Sequence, residues 1–347
     1  MFDKLFSLVS HDVGIDLGTA NTLVLVRGKG IVIREPSVVA RHKKTREILE
    51  IGTRAKRMLG KTPPNIEAIR PLRDGVIADF DATVSMLAYF IKKIHEGPGV
   101  VPKIPKPRVV IGIPSGVTEV ERRAVREASL DAGAREAFLV EEPLAAAIGA
   151  GLPVTTSIGS LIVDIGAGTS DIAVISLGGI VLGRSIRVAG DKMDQAIMSY
   201  FRLKYSLLLG EVTAESVKIE MGSAIPQKPE KLTVVRGRDL ETGLPRSMRV
   251  SGTEVREGIL PILQQIVGEV EGILEETPPE LTADIAESGI VLVGGGALIP
   301  GIDVLFREAT KMPVTITQDP LTAVVRGCGK LLEDAALAKQ VKLTRGR

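Results

Sequence analysis

The pattern of apolar and polar positions is most distinctive in residues 13–26, where two apolar runs flank a short turn. Apolar runs on both sides of a glycine turn predict a β-hairpin. Asp16 lies near the end of the first run, and Gly18 lets the turn fold sharply and approach a ligand. The amides of such a turn suit an anion, but Asp16 would repel a phosphate unless a cation lay between them. These residues therefore indicate either a plain hairpin or a phosphate-and-metal site.

The same pattern returns in residues 161–176, about half the chain away. Alignment of the two stretches places Asp164 on Asp16, Gly166 on Gly18, Thr169 on Asn21 and Ser170 on Thr22. An internal repeat of this kind predicts two similar domains, each presenting a hairpin to a shared cleft. A chance repetition is the alternative.

The remaining periodicity predicts several helices and strands. Thr118 and Glu121 have the spacing of a capping box, and Pro143 is suited to open a helix. Helices are predicted for residues 78–95, 118–132, 143–150, 190–205, 213–221, 253–276 and much of 320–339. Strands are predicted for residues 31–33, 37–40, 108–114, 138–140, 180–188, 290–293 and 315–317, with a solvent-facing hairpin for 234–250.

Composition narrows the function classes. The chain has 347 residues, 44% of them hydrophobic and 3% aromatic, with a formal net charge of +2. This length predicts about two domains. The few aromatic rings and the balanced charge argue against a nucleic-acid partner. Cys328 is the only cysteine, so an internal disulfide is impossible and a reducing cytoplasm is expected. No apolar run reaches the ~18 residues of a membrane span.

Two short segments have a possible relation to membranes. Residues 1–10 place Phe2, Leu5, Phe6 and Val9 on one helical face. This pattern predicts either a terminal helix docked on the core, or frayed, or an interfacial membrane helix, and many copies along a polymer would bind lipid by avidity. Residues 97–107 form a proline- and glycine-rich loop with three apolar side chains, which is either a connector or a second membrane-touching loop.

Common nucleotide motifs are absent. Residues 60–62 resemble the end of a P-loop, but Ala55 stands where its first glycine is needed, and no Gly-x-Gly-x-x-Gly joins a strand to a helix. The candidate site instead has three parts, namely the two hairpins and Gly294–Gly296, a bare backbone surface for a flat ring or ribose. Two aspartates beside a polyphosphate require Mg²⁺ to neutralise the charge.

This arrangement resembles the actin, heat-shock chaperone and sugar kinase superfamily, and within it the chain is similar from end to end to the MreB family of bacterial actins. The stretches that carry the resemblance are GIDLGTANT at 14–22, EPSVV at 35–39, AIRP at 68–71, DGVIAD at 74–79, VERRA at 120–124, EEP at 141–143, AAAIG at 145–149, TPPEL at 277–281 and GGGA at 294–297. The chain departs from the family pattern in the second hairpin, which has Ala167, Ser170 and Asp171 where glycine, threonine and glutamate are usual. Ser170 keeps the hydroxyl and Asp171 keeps the charge, so ATP binding should survive. Compared with eukaryotic actin, the first hairpin has Leu23 in place of a phosphate-binding lysine, which leaves more of the charge to Mg²⁺.

The resemblance implies an α/β protein with the actin-like ATPase fold, in which two RNase H-like lobes, each with a small inserted subdomain, enclose ATP and Mg²⁺. It implies subdomains IA at 1–37, 77–156 and 326–347, IB at 38–76, IIA at 157–192 and 257–325, and IIB at 193–256. Asp16 and Asp164 would hold the metal through water. Glu142 would orient the attacking water, and Glu141 would support it by hydrogen bonding. The implied nucleotide contacts are Gly18, Thr19, Ala20, Asn21, Gly166, Ala167, Gly168 and Thr169 at the phosphates, and Glu215, Lys218, Gly294, Gly295, Gly296 and Ala297 around the nucleoside.

The function that the resemblance implies is slow ATP hydrolysis coupled to head-to-tail polymerisation. Paired protofilaments would lie on the inner face of the cytoplasmic membrane, held to lipid by residues 1–10, and would organise cell-wall synthesis that maintains rod shape. Membrane proteins of cell-wall elongation such as MreC, MreD and RodZ are the implied partners, besides the chain itself. The alternatives are a plasmid- or organelle-positioning bacterial actin, a chaperone-type ATPase and a small-molecule kinase.

Overall fold

A computed structural model describes residues 10–96, 106–341 and 343–345. Its strands are β1 (Val13–Leu17), β2 (Asn21–Val26), β3 (Gly30–Pro36), β4 (Val39–His42), β5 (Ile48–Ile51), β6 (Ile66–Ile69), β7 (Leu72–Arg73), β8 (Val76–Ile77), β9 (Arg108–Ile113), β10 (Glu136–Glu141), β11 (Ser160–Ile165), β12 (Ser170–Ser176), β13 (Gly179–Ile186), β14 (Leu207–Leu208), β15 (Leu232–Asp239), β16 (Pro245–Ser251), β17 (Ile290–Val293), β18 (Val314–Ile316) and β19 (Thr344–Arg345). Its helices are α1 (Thr53–Lys56), α2 (Phe80–His95), α3 (Glu119–Asp131), α4 (Glu142–Ala150), α5 (Gly190–Tyr205), α6 (Glu211–Met221), α7 (Gly252–Glu276), α8 (Pro279–Ser288), α9 (Ile302–Thr310), α10 (Ala323–Glu333) and α11 (Ala335–Gln340), with 3₁₀ turns at Gly295–Leu298 and Pro320–Thr322.

Two sheets with helices on their faces form two lobes. Lobe I contains the six-stranded sheet β19-β10-β9-β1-β2-β3, and lobe II contains the five-stranded sheet β13-β12-β11-β17-β18. In lobe I, β1 pairs antiparallel with β2 and parallel with β9. In lobe II, β11 pairs antiparallel with β12 and parallel with β17. The shared topology confirms that the chain contains a structural repeat.

The two hairpins also have the same register. Asp16 pairs with Leu23 across β1 and β2, and Asp164 pairs with Asp171 across β11 and β12. Four residues separate the strands' last paired positions in each case, since Leu17 faces Thr22 and Ile165 faces Ser170. The alignment predicted from the sequence is therefore correct residue by residue.

Small sheets are inserted into both lobes. The sheet β5-β4-β6 and the two-stranded β7-β8 lie between β3 and α2, and the sheet β14-β15-β16 lies between α5 and α7. The two three-stranded sheets fall within the ranges predicted for subdomains IB and IIB. The subdomain boundaries themselves stay a prediction.

The N-termini of α3 and α4 lie close to where the sequence predicts them. Thr118 caps α3, and both bonds of the predicted capping box with Glu121 are present. Helix α4 begins at Glu142, one residue before the predicted Pro143, which occupies its first turn. The sequence analysis missed α1, α8, α9 and the strands β5, β6, β7, β8, β14 and β19. Strand β19 has only two residues and is defined by antiparallel pairing with β10, which no local pattern announces.

Three apolar cores hold these elements together. One packs the sheet of lobe I against α2 and α3, and another packs the sheet of lobe II against α5, α6, α7 and α9. The third lies between the lobes, where α4 and α10 join residues from both sheets. At this joint the helix backbones touch, because a Cβ on Gly149 would lie 1.8 Å from the Ala323 carbonyl oxygen and one on Gly327 would lie 1.8 Å from that of Ala145.

Among the described residues, no helix is long and apolar enough to cross a membrane. The segments predicted to touch lipid lie almost wholly outside the described residues, which omit 1–9 and 97–105. Their described neighbours meet, since the Lys106 amide donates to Ser10 Oγ at 3.2 Å. The His11 amide in turn donates to Nε2 of His95, the last residue of α2, at 3.1 Å. Both segments therefore adjoin one point on lobe I.

Candidate functional site

A cavity of about 410 Å³ lies between the lobes, at the turns of the two repeated hairpins. The predicted site residues converge on it, with the exception of Glu141 and Ala297. Those that line it are Asp16, Gly18, Thr19, Ala20, Asn21, Glu142, Asp164, Gly166, Ala167, Gly168, Thr169, Glu215, Lys218, Gly294, Gly295 and Gly296. Its size is within the range of ligand pockets, ~300–1,000 Å³.

The first hairpin turn is fixed from behind by a serine. Ser37 Oγ donates to the Gly18 carbonyl oxygen at 2.6 Å and lies 2.8 Å from the Thr22 hydroxyl. A Cβ on Gly18 would lie only 2.8 Å from the Asn21 carbonyl oxygen, so this tight turn requires glycine. Ser37 and Thr22 are both fully buried, and the turn is therefore held rigidly at the cavity.

The second turn is fixed by the start of α5. The Gly190 and Asp191 amides donate to the Gly166 and Ala167 carbonyl oxygens at 3.2 and 2.8 Å. Ala167 does not adopt a left-handed φ, so its Cβ causes no backbone strain. The departure from glycine that the sequence shows here is accommodated by the turn.

The two hairpin turns contact each other, and both contact a third turn, between β7 and β8, that the sequence analysis missed. A Cβ on Gly168 would lie 2.5 Å from Thr19 Oγ1 and 3.0 Å from Asp74 Cα. The Gly75 amide donates to Thr19 Oγ1 at 3.2 Å, and Asp74 and Gly75 both have a positive φ. The β7-β8 turn therefore closes one side of the cavity. Its Asp-Gly pair is a typical hairpin signal that could have revealed it.

Three carboxyl groups line the cavity, those of Asp16, Asp164 and Glu142. Burial raises the pKa of Asp16 to about 7. Burial also raises the pKa of Asp164 well above its usual value, and the charges of Asp16 and Asp171 add to this. The pKa of Glu142 is raised by burial first and then by Asp171, Asp16 and Asp164. Such repulsion is relieved by a divalent cation, and Mg²⁺ usually takes one or two carboxylates with phosphate oxygens completing its shell.

The protein side chains alone do not make a complete metal site. Within the described part of the chain, no three histidine, cysteine or acidic side chains are placed so that they could hold a metal ion by themselves. Asp16 and Asp164 would hold Mg²⁺ together with a polyphosphate, as two carboxylates alone do not make a cage. The ion would supply charge neutralisation and polarise a phosphoryl group.

Glu142 and its neighbour Glu141 face different surroundings. Glu142 is the first residue of α4 and lies beside Gly112, where a Cβ would come 3.2 Å from its Cγ. Glu141 is not part of the cavity lining and lies 3.6 Å from the Arg122 guanidinium. Burial raises the pKa of Glu141, and the positive charge of Arg122 offsets part of this rise. The structure therefore brings Glu142 to the cavity, whereas Glu141 contacts α3.

Glu215 and Lys218 line the cavity from α6, and both have protein partners. Glu215 accepts from Lys56 Nζ at 2.8 Å and lies 3.9 Å from Arg70. Lys218 Nζ donates to the Gly190 carbonyl oxygen at 2.9 Å and lies 3.0 Å from Asp194. Burial raises the pKa of Asp194 to about 6. Asp194 was missed because one acidic residue within a helix carries no sequence signal.

The glycine triad is packed against the second hairpin. A Cβ on Gly294 would lie 2.3 Å from Asp164 Oδ1, and one on Gly296 would lie 2.2 Å from Ile165 Cγ2. Ala297 is fully buried beneath the surface. Apolar side chains that the sequence analysis did not identify complete this part of the cavity, namely Ile219, Leu298, Ile299 and Leu321. They offer a face on which a flat base can lie.

Comparison with known proteins gives consistent matches over nearly the whole chain. A family model described as MreB/Mbl protein matches residues 10–340. The cell shape-determining protein MreB of Escherichia coli is 51% identical over 337 residues, which cover 96% of each chain.

Solved structures match equally broadly. The structure of MreB5 of Spiroplasma citri bound to ADP has a TM-score of 0.88 and 38% identity, and covers 96% of this chain and 98% of its own. The same protein bound to AMPPNP gives a TM-score of 0.87 at 39% identity, with the same coverage. A MamK double helical filament matches with a TM-score of 0.77 over 94% of this chain and 99% of its own. Its identity is 24%, so it supports the fold alone.

Proposed function

The chain belongs to the MreB/Mbl family and has its actin-like α/β fold, and on this premise we propose that it is an ATP-dependent, filament-forming cell shape protein. The observation that supports this best is the pair of hairpins in equal register, which present two turns and two aspartates to one cavity. MreB5, at 38–39% identity, has been solved with ADP and with AMPPNP. The proposed ligand is therefore ATP with Mg²⁺.

The site residues divide into three tasks. The amides of Gly18–Asn21 and Gly166–Thr169 would surround the β- and γ-phosphates. As donors that are already in place, they would stabilise the phosphate charge without having to reorganise. Asp16 and Asp164 hold the metal through water. Glu142 orients the attacking water, and the raised pKa of its carboxyl group makes it a stronger base than an ordinary glutamate. Glu141 acts indirectly, since its contact is with Arg122.

Filament formation and membrane attachment complete the proposal. ATP closes the cleft and favours head-to-tail assembly, and hydrolysis is slow and coupled to polymerisation. The filaments lie on the inner face of the cytoplasmic membrane, where they organise cell-wall synthesis with elongation proteins such as MreC, MreD and RodZ. The name of the E. coli relative, cell shape-determining protein, supports this role.

Sedimentation with nucleotide and lipid tests the proposal. Full-length protein with ATP, Mg²⁺ and liposomes that contain anionic lipid should pellet as filaments and release phosphate slowly. Protein that stays monomeric with every nucleotide would contradict the filament claim. A variant without residues 1–9 should polymerise normally but bind liposomes more weakly. It keeps Ser10, whose hydroxyl accepts from Lys106. Equal lipid binding would show that this segment is not the anchor.

A further inference from the structure

Behind the cavity, a buried carboxylate of one lobe holds a loop of the other. Asp171 lies on β12 of lobe II and is 1% exposed. Its Oδ1 accepts from the amide of Ser115 at 3.0 Å and from the Ser115 hydroxyl at 3.1 Å. Ser115 lies in the turn between β9 and α3 of lobe I. These bonds therefore join the lobes at a point outside the nucleotide contacts described above.

The same carboxylate lies two residues from the second phosphate turn on its own strand. The side chains of Thr169 and Ser185 face Asp171 and lower the pKa that its burial raises. Thr169 belongs to the cavity lining, and Ser185 pairs with Asp171 across β12 and β13. One group thus connects the β9–α3 turn of lobe I with the turn that would contact phosphate. Buried carboxylates need such partners, because an unpaired one costs free energy.

The contact between the lobes is tight around this group. A Cβ on Gly116 would lie 2.9 Å from Ser185 Cβ, and one on Gly75 would lie 2.7 Å from Pro114 Cγ and 2.9 Å from Thr169 Cγ2. Glu121 of α3 also lies 3.7 Å from Arg187, which follows β13. A rotation that opened the lobes at this side would lengthen and weaken the Asp171 bonds to Ser115.

The repeat shows that a hairpin of this kind does not need a carboxylate here. Leu23 occupies the equivalent position in the first hairpin, opposite Asp16. Asp16 already raises the pKa of Asp164 and of Glu142 in the cavity, and the charge of Asp171 raises both further. The acid in lobe II alone therefore indicates a task that the first hairpin does not have.

We infer that Asp171 is a positioning residue that clasps Ser115 of lobe I to the strand that follows Thr169, so that lobe closure sets the second phosphate turn in place for hydrolysis. The inference rests on the proposed ATPase function. It predicts that loss of the clasp slows phosphate release much more than it weakens nucleotide binding, because the phosphate turns themselves remain.

The decisive variants are Asp171→Leu, which copies the first hairpin, and Ser115→Ala, which removes one of the two bonds from lobe I. We expect Asp171→Leu to lower the rate of phosphate release about tenfold, and Ser115→Ala about threefold, with ATP affinity changed less than about threefold. The double variant should be no slower than Asp171→Leu, because the residues act as one unit. Ser115→Thr keeps the hydroxyl and should retain most of the rate of phosphate release. Ser85→Ala, on α2, is the matched control.

Hydrogen exchange of the nucleotide-free protein gives a second readout. The Ser115 amide should exchange faster in Asp171→Leu than in the natural protein, because its acceptor is gone. Additive effects, or an unchanged rate and exchange in a variant with normal thermal stability, would overturn the inference. If Asp171→Leu does not fold, an unchanged rate in Ser115→Ala would do so. A natural protein that releases no phosphate would refute the proposed function, whereas the exchange result would still decide whether the clasp exists.

Discussion

Lys56 Nζ lies 2.8 Å from Glu215 Oε1, and this ion pair joins the small sheet of lobe I to α6 of lobe II. Arg70 adds a second positive charge 3.9 Å from the same carboxylate. Glu215 is also part of the cavity lining. The contact therefore joins the lobes beside the cavity, on the side where the resemblance places the nucleoside.

Removal of this ion pair should speed nucleotide release. Lys56 and Glu215 side chains are 28% and 17% exposed, so we expect the pair to contribute about 1 kcal/mol, or about fivefold in rate. Lys56→Met keeps the aliphatic stem and removes the charge. Stopped-flow displacement of a fluorescent ATP analogue measures the rate. Lys61→Met, at an exposed lysine of the same small subdomain, is the control. Equal rates of nucleotide release in both variants would show that the Lys56–Glu215 ion pair does not retain the nucleotide.

Glu142→Ala should keep ATP binding and lose phosphate release. A positioned acid-base group typically contributes ~10²–10⁴-fold to a rate. Glu141→Ala should have a much smaller effect because that side chain contacts Arg122. Phosphate release and equilibrium binding measured on the same preparations separate the two steps. Unchanged release in Glu142→Ala would remove this residue from the mechanism.

The nucleotide-free protein should lose stability as pH rises towards neutrality. Burial raises the pKa of Asp16 from 3.8 to about 7, so the folded state binds this proton more tightly than the unfolded state. This contribution to the free energy of unfolding is fully present below pH 3.8 and is lost as pH rises to about 7.

Asp16→Asn tests this relationship, since it removes the titrating group and keeps the shape. With EDTA present, its Tm at pH 8 should exceed that of the natural protein by roughly 3–6 °C, and the gap should shrink at pH 5. The exposed Asp81→Asn is the control. The same Asp16→Asn variant should bind Mg²⁺-ATP poorly. A gap that does not depend on pH would contradict the predicted protonation of Asp16.

Two glycines of one triad should respond differently to alanine. Gly294 has a φ of 81°, and its Cβ would lie 2.3 Å from Asp164 Oδ1. Gly294→Ala should therefore displace a metal-binding carboxylate and weaken ATP binding by at least about tenfold. A Cβ on Gly295 would meet only Leu321 at 3.5 Å, an ordinary contact, so Gly295→Ala is the matched control. If both variants bound ATP with the same affinity, the glycine triad would not be part of the nucleotide site.

Ala167→Gly tests the departure in the second hairpin. The alanine strains no backbone angle, and its carbonyl oxygen is held by the Asp191 amide at 2.8 Å. We expect a hydrolysis rate within about twofold of the natural protein, because glycine only adds freedom to a turn that is already fixed. A large gain in rate would mean that the alanine restrains turnover.

The sequence predicted most of the polar and glycine residues that line the cavity, because its signals are local. Glycines, hydroxyls and aspartates at fixed offsets within each hairpin determine the turns, and the repeat between residues 13–26 and 161–176 placed both at one cavity. Gly75, Asp194 and Leu321 were missed because they reach the cavity only through packing of the β7-β8 turn, α5 and the 3₁₀ turn at Pro320–Thr322.

Tertiary pairing explains the remaining differences. Strand β19 exists because β10 offers it an edge, and the Asp171–Ser115 bonds connect residues 56 positions apart. The sequence showed Asp171 as a departure from the family pattern, but not what the side chain bonds to. Glu141 was predicted beside Glu142 in the mechanism, whereas alternate side-chain directions at the strand end send it to Arg122.

The joint between α4 and α10 has a mechanical consequence. Where Gly149 meets Ala323 and Gly327 meets Ala145, two backbones touch with no side chain between them. Side chains that interlock would have to change rotamer for the helices to slide, and they would resist in discrete steps. Two backbones in direct contact instead fix the distance between the two helix axes, and any side chain larger than hydrogen at Gly149 or Gly327 would force the helices apart.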